Sequence, residues 1–221
     1  MVEECQGLLY LKDKYYEKKI LKIGITGSAG SGKSLACSRI SASGLPVVSC
    51  DDIARQVVLP KTPAHEKLVA LFGKNTVLPS GHLDRKYLRT RIARSPQDRK
   101  KLEDIVQPAV LEELIQQIDA AVEKSLPLVA AEVPLLFELG LEKEFDVSIT
   151  VAADMEDRVK RIARRDSVTE KQAKALVALH MSQEKKIEKA DAVLWNTGSV
   201  DDLYRAVDEL IYRLSSSGTL V

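Results

Sequence analysis

The sequence predicts an α/β domain, a parallel sheet with helices on both faces, and three observations point there. Residues 21–26 (Leu-Lys-Ile-Gly-Ile-Thr) form a β-rich apolar run that ends in a glycine- and serine-rich loop. A helical stretch from Lys33 to about Ala42 follows, then a second short strand over 44–50; strand, glycine loop, helix, strand is a βαβ unit. Residues 128–133 and 147–151 read as further buried strands, the latter apolar on both faces, as in strands covered by helices on either side. Between 62 and 124 the apolar spacing becomes helical, with Leu68, Leu71 and Phe72, then Leu88 and Ile92, then Leu102, Ile105 and Val106, then Val110, Leu114, Ile118 and Val122.

The remaining elements follow in order. Residues 1–20 are polar and mixed, an extension ahead of the first core strand. Turn signals at Leu78-Pro79-Ser80-Gly81 and Ser95-Pro96 divide the helical insertion. Residues 183–192 read as a polar helix and 201–214 as an amphipathic closing helix, with a fraying tail at Ser215-Ser216-Ser217-Gly218. A length of 221 residues fits one domain with inserted subdomains and a core that needs no disulfide or metal. The 33 basic and 32 acidic residues leave a net charge of +1, so charge gives no case for nucleic acid or a membrane surface as partner. Cys5, Cys37 and Cys50 make neither a disulfide framework nor a zinc pattern. The N-terminus has no basic region followed by an apolar core, and no run of 18 apolar residues occurs, so the cytoplasm is the expected location.

Gly27-Ser28-Ala29-Gly30-Ser31-Gly32-Lys33-Ser34 fits G-x-x-x-x-G-K-[ST], the phosphate-binding P-loop. Glycines let the backbone curl so that successive N–H groups face an anion, and the following helix directs its N-terminus at the phosphates. Lys33 can bridge the β- and γ-phosphates of ATP and the Ser34 hydroxyl can ligate Mg2+. The D-x-x-G and N-K-x-D elements of GTPase switches are missing, which favours a phosphotransferase.

Asp51 and Asp52 follow the second strand, whose C-terminal end borders the crevice in a βαβ fold. A carboxylate there can take the proton of an attacking hydroxyl or orient the magnesium shell, or it can simply cap the next helix. Arg158, Arg161, Arg164 and Arg165 lie on one helical stretch, either as a solvated basic face or as cations that meet a transferring phosphoryl group. Arg161 and Arg165 share a face at i, i+4. Glu138 reads equally as a helix-start carboxylate or a substrate-side contact, and Trp195 as a stacking or a core residue. His65, His82 and His180 have no metal-ligand spacing.

Several segments resemble the dephospho-CoA kinase family, over about residues 21–214. They are the opening strand with its loop, Asp51-Asp52-Ile53-Ala54-Arg55, Gly81-His82-Leu83-Asp84-Arg85 with Leu88-Arg89, Val133-Pro134-Leu135-Leu136-Phe137-Glu138, Arg161 with Arg164-Arg165-Asp166, and Asn196-Thr197-Gly198-Ser199. The resemblance implies an α/β fold, a P-loop NTPase kinase core with a five-stranded parallel sheet, a helical substrate-binding insertion (62–124) and a helical lid (155–185). The core would take 21–61, 125–154 and 186–214. It implies ATP-dependent phosphorylation of the ribose 3′-hydroxyl of dephospho-CoA, the last step of coenzyme A synthesis, by a monomer or weak oligomer with Mg2+. Asp51 would be the catalytic base, with Lys33 and Arg161 as catalytic partners. Gly27 to Leu35, Arg165 and Asn196 would hold the nucleotide. Arg55, Leu83, Pro134 and Leu135 would join Asp51 on the acceptor side. The chain departs from the family pattern at Ser49, where an aspartate is usual, at Gln107, where histidine is common before the proline, and at Ala192 and Trp195. Another P-loop nucleoside, nucleotide or sugar kinase, or a non-catalytic nucleotide-binding regulator, remains an alternative.

Overall fold

The computed structural model describes residues 9–11, 20–123 and 128–216. The chain divides into two compact units, one formed by the chain up to Val48 and from Ala120 onward, the other by Ser49–Asp119. In chain order the elements are β1 (Leu9–Leu11), β2 (Leu21–Gly27), α1 (Lys33–Ala42), β3 (Val47–Ser49), α2 (Cys50–Gln56), α3 (Pro63–Phe72), α4 (Arg85–Arg94) and α5 (Pro96–Val122). There follow β4 (Leu128–Glu132), β5 (Val147–Ala152), α6 (Met155–Asp166), α7 (Glu170–Val177), α8 (Gln183–Lys189), β6 (Ala192–Trp195) and α9 (Val200–Ser216).

The strands form one sheet in the order β1-β6-β5-β2-β4-β3. The five strands β2 to β6 make the parallel sheet that the sequence implied. The sixth, β1, pairs antiparallel with β6, Leu9 opposite Leu194, and comes from the segment read above only as an extension. Strand β6 is a second addition: the polar helix was expected to run on to Ala192, and residues 193–195 were assigned to no element. A run of Ala-Val-Leu-Trp is too short to show a period, and α8 stops at Lys189.

Alternation along the strands gives the sheet two unlike faces. Leu21, Ile23 and Ile25 of β2 and Val147, Ile149 and Val151 of β5 share one apolar cluster with Ala36 and Ile40 of α1 and Leu203, Val207 and Leu210 of α9. The other face presents Gly24 and Thr26 of β2 and Ser148 and Thr150 of β5, so β5 is buried on both faces but apolar on one only, not on both as expected. At Gly24 an added Cβ would stand 2.9 Å from the Phe145 ring and 3.2 Å from Leu136, so only glycine lets those side chains lie on the sheet.

The helical unit has its own core, in which Leu68, Phe72, Leu83 and Leu88 are buried with Val77, Leu102 and Ile105 against them. Its helices begin where local chemistry satisfies the first N–H groups. Thr62 accepts from the amide of His65, Asp84 from that of Tyr87, and Ser95 from that of Asp98. The Ser95-Pro96 signal is therefore the start of α5, with proline in the first turn, where its missing N–H costs nothing. The helix then continues through Pro108, and Gln107 is exposed on it.

The second strand is shorter than expected. It ends at Ser49, and α2 begins at once. The cap of α2 is neither Asp51 nor Asp52 but Ser49, whose hydroxyl accepts from the amide of Asp52 at 3.3 Å. Both aspartates then sit in the first turn, where negative charge suits the helix dipole. Serine and aspartate cap helices about equally well, so the departure at position 49 keeps this function. Of the tail expected to fray, Ser215 and Ser216 are instead the last residues of α9, and residues 217 and 218 lie outside the described residues.

Candidate active site

The phosphate loop leaves β2 at Gly27 and enters α1 at Lys33. Gly30 and Gly32 have φ of 78° and 95°, a left-handed backbone that favours glycine. Side chains are also excluded by close approach. An added Cβ at Gly30 would stand 2.6 Å from the carbonyl oxygen of Arg158, and one at Gly27 2.6 Å from that of Val151. No side chain caps α1, which leaves its N-terminal N–H groups for a ligand. The hydroxyls of Ser28 and Ser31 are buried with no hydrogen-bond partner among the described residues. Uncapped amides, a lysine and orphaned hydroxyls converging on one curled loop are the donor set that a polyphosphate requires.

Lys33 donates to Oε1 of Glu132 at 2.7 Å, and the Ser34 hydroxyl donates to the same oxygen at 2.8 Å. Both partners of the ion pair are largely buried, with side chains 13% and 12% exposed. Glu132 is the last residue of β4, opposite Ile25 of β2, which places its carboxylate at the C-terminal edge of the sheet beside the loop. Sequence reasoning passed over it. The available signal was a lone carboxylate closing an apolar strand, Leu-Val-Ala-Ala-Glu, next in the sheet to the phosphate-loop strand.

The outer side of the loop is held by carbonyl contacts. Arg158, 2% exposed, donates from Nε to the carbonyl of Ala29 at 3.2 Å, and burial pushes its pKa below the usual arginine value. Arg161 donates to the carbonyl of Gly30 at 3.3 Å and to that of Asn196 at 3.4 Å. Asn196, at the end of β6, donates from Nδ2 to the carbonyl of Ser31 at 2.8 Å, and its own amide donates to the carbonyl of Ala152. Ala29 also packs on Val159, Ile162, Ala173 and Val177, where α6 meets α7. Arg158 thus holds the loop, a role its position on a basic helix did not reveal. Arg165 turns away, binding Asp166 through two nitrogens at 2.7 and 2.8 Å, so the face shared with Arg161 does not give the two arginines a shared partner. Asp157, Lys160, Arg161, Arg164 and Arg165 line an open depression of about 420 Å3.

Beyond β4, residues 134–140 form a succession of turns, so Glu138 begins no helix. It pairs instead with Lys186 at 2.8 Å. Pro134 and Leu135 are half-buried in these turns, and among the described residues no peptide bond is cis. Trp195, half-buried, is the last residue of β6.

In the helical unit, Asp51 is exposed and makes no hydrogen bond or ion pair among the described residues. Arg55 pairs with Asp52 at 2.8 Å on the exposed side of α2. Leu83 is a core residue of that unit, its side chain turned into the cluster with Leu68 and Phe72.

A model of the dephospho-CoA kinase family matches residues 21–202. The chain belongs to the dephospho-CoA kinase family. The dephospho-CoA kinase of Thermosynechococcus vestitus is 37% identical over 201 residues, spanning 90% of this chain and 98% of its own. That of Shouchella clausii is 37% identical over 187 residues, spanning 85% of this chain and 95% of its own. The structure of dephospho-CoA kinase from Campylobacter jejuni is similar with a TM-score of 0.70 at 26% identity, covering 89% of this chain and 98% of that one. A crystal structure of a Thermus thermophilus protein gives 0.75 at 35% identity, covering 88% and 97%. Relative to the dephospho-CoA kinase family, β1 lies ahead of the matched region, which opens at Leu21, the first residue of β2.

Proposed function

We propose that this chain transfers the γ-phosphoryl group of ATP to the ribose 3′-hydroxyl of dephospho-CoA, giving coenzyme A and ADP. The observation that carries the reading is the phosphate cradle, an uncapped helix N-terminus with Lys33, Ser34 and two unpartnered buried hydroxyls, in a chain of this family. Phosphoryl transfer asks the protein mainly for positioning and charge stabilisation, and a cradle of this kind supplies both.

In this reading the loop amides from Gly27 to Leu35 take the phosphate oxygens. Lys33 exchanges Glu132 for the β- and γ-phosphates. Ser34 and Glu132, already joined by a hydrogen bond, offer hard oxygen donors for Mg2+, which fits an ion held by one carboxylate and a hydroxyl together with substrate phosphates. The ion would supply charge neutralisation on the β- and γ-oxygens. Asp51 accepts the hydrogen bond of the acceptor hydroxyl and takes its proton. It has no competing partner among the described residues. Arg161 stabilises charge on the transferring group. Residues 155–185 serve as the lid, with Arg165 exchanging Asp166 for the nucleotide, and Asn196 lies toward the adenine. Arg55, Pro134 and Leu135 meet the acceptor, Leu83 supports that side from within the helical core, and residues 62–124 serve as the acceptor-binding insertion. No helix among the described residues is long and apolar enough to cross a membrane. The enzyme works in the cytoplasm on small molecules, as a monomer or weak oligomer.

A coupled ADP-release assay with ATP and Mg2+ tests the reading, comparing dephospho-CoA with adenosine, AMP and a sugar panel. Turnover is expected with dephospho-CoA, and Asp51→Asn should lower kcat by about 10²- to 10⁴-fold, the usual worth of a general base. Turnover with another acceptor alone would overturn the acceptor assignment, and an undiminished Asp51→Asn would overturn the base.

A further inference from the structure

Lys186 is 1% exposed, and its ammonium group is surrounded by acceptors from three places in the chain. It donates to Oε2 of Glu138 at 2.8 Å, to the carbonyl of Pro134 at 3.0 Å and to Oγ1 of Thr26 at 3.3 Å. The Thr26 hydroxyl in turn donates to the same Pro134 carbonyl at 3.1 Å. The second oxygen of Glu138 accepts from the amide of Met181 at 3.2 Å. All three N–H bonds of the lysine and both oxygens of the glutamate are used, and every partner has a functional address. Thr26 immediately precedes Gly27 of the phosphate loop. Pro134 opens the turns that follow Glu132. Met181 and Lys186 bracket the start of α8.

Stability does not explain this group. Burial pushes the lysine pKa below its ordinary value, against the hydrogen bond to Glu138 that pulls it up, so the ammonium is held in an unfavourable place. A buried ion pair gives little or no net stability over an apolar pair of the same volume. The neighbouring contacts on this face do not need it either. The side chain of Gln183 already joins α8 to the sheet by exchanging two hydrogen bonds of 3.0 Å with the backbone of Ala153, and Thr150 donates to the carbonyl of Lys186 at 3.1 Å. What a charged pair adds is direction, because three acceptors around one ammonium fix three segments relative to one another.

We infer that Lys186 and Glu138 are positioning residues, which hold the turn carrying Pro134 and Leu135 in register with the phosphate-loop strand and so set where the acceptor is presented to the γ-phosphate. The inference rests on the proposed reading in which that turn meets dephospho-CoA. Neither residue touches a reacting atom, and both act through the turn.

The test is the double variant Lys186→Met with Glu138→Gln, which removes both charges while keeping shape. It is read by steady-state kinetics and by amide hydrogen exchange in the full-length protein. The expected result is a KM for dephospho-CoA raised at least about tenfold, with KM for ATP within about threefold of wild type. The amides of Leu139 and Leu141, which donate to the carbonyls of Leu135 and Leu136, should exchange faster, while those of α1 and α9 keep their protection. A KM for dephospho-CoA within about threefold of wild type, or an equal rise for both substrates, would overturn the inference. Should wild type not turn over dephospho-CoA, the functional reading fails by itself, and unchanged exchange at Leu139 and Leu141 overturns the positioning role independently. If the double variant does not fold, Glu138→Gln alone, which removes the charge and keeps an acceptor oxygen for only one of Lys186 and Met181, is judged by the same two readouts.

Discussion

Beneath α1 and α9 the sheet is closed by apolar side chains, such as Ile25, Ile149, Ile40 and Val207, whereas beneath α8 it is closed by Thr26, Thr150, Lys186 and Gln183 through directed hydrogen bonds. Apolar contact is non-directional and scales with the area removed from water, so the first face supplies stability and tolerates many volumes that fit. Hydrogen bonds between buried groups add about 1 kcal/mol each but hold only in one geometry, so the second face supplies position. The side chains of the phosphate loop follow this division. Lys33 and Ser34 ride on a helix anchored by the apolar core, and the polar face braces the strand that leads into their loop.

The largest effect expected from this contrast is on stability. Ile149→Ala on the apolar face should lower the unfolding free energy by about 2–5 kcal/mol, read as a shift in the urea midpoint, with kcat of the folded fraction little changed. A similar loss from an equivalent cut on the α8 face would erase the distinction. Next comes Glu132→Gln, at the functional margin of the apolar face. It keeps an acceptor for Lys33 and Ser34 but removes the charge, so kcat should fall by about 10²-fold while the melting temperature stays within a few degrees. Undiminished turnover would remove Glu132 from the site. The smallest effect is that of Thr150→Val, which deletes one hydroxyl of the polar face with its shape kept. A loss of about 1 kcal/mol is expected, because the Lys186 carbonyl still accepts from the amide of Ala190. A loss as large as that of Ile149→Ala would mean that the polar face carries stability after all.

The two cysteines among the described residues fall in unlike surroundings. Cys37 lies inside the apolar cluster, where burial, reinforced by the charge of Glu132, pushes its thiol up to about 12, so it is inert at neutral pH. Cys50 is half-buried in the first turn of α2, beside Asp51.

Local signals placed a good part of the molecule. The glycine pattern identified the phosphate loop, because the left-handed backbone at Gly30 and Gly32 favours glycine and an added Cβ at Gly30 would meet the Arg158 carbonyl. Apolar runs located β2, β4 and β5, and helical spacing located the helices of the second unit. The segments shared with the dephospho-CoA kinase family gave the family itself. Other features depend on partners far away in the chain. Strand β6 is too short to announce itself and exists because β5 offers it a ladder. Lys186 looks like any lysine of a polar helix, beside Lys185 and Lys189, until Thr26, Pro134 and Glu138 close around it. Glu132 becomes a partner of Lys33 only when β4 lies next to β2. Backbone conformation and amphipathic period are properties of neighbouring residues, so the sequence by itself determined the loop, the helices and the fold class. The pairing of charges across 48 to 99 residues of chain is set by the order of strands in the sheet, and only the tertiary structure decided it.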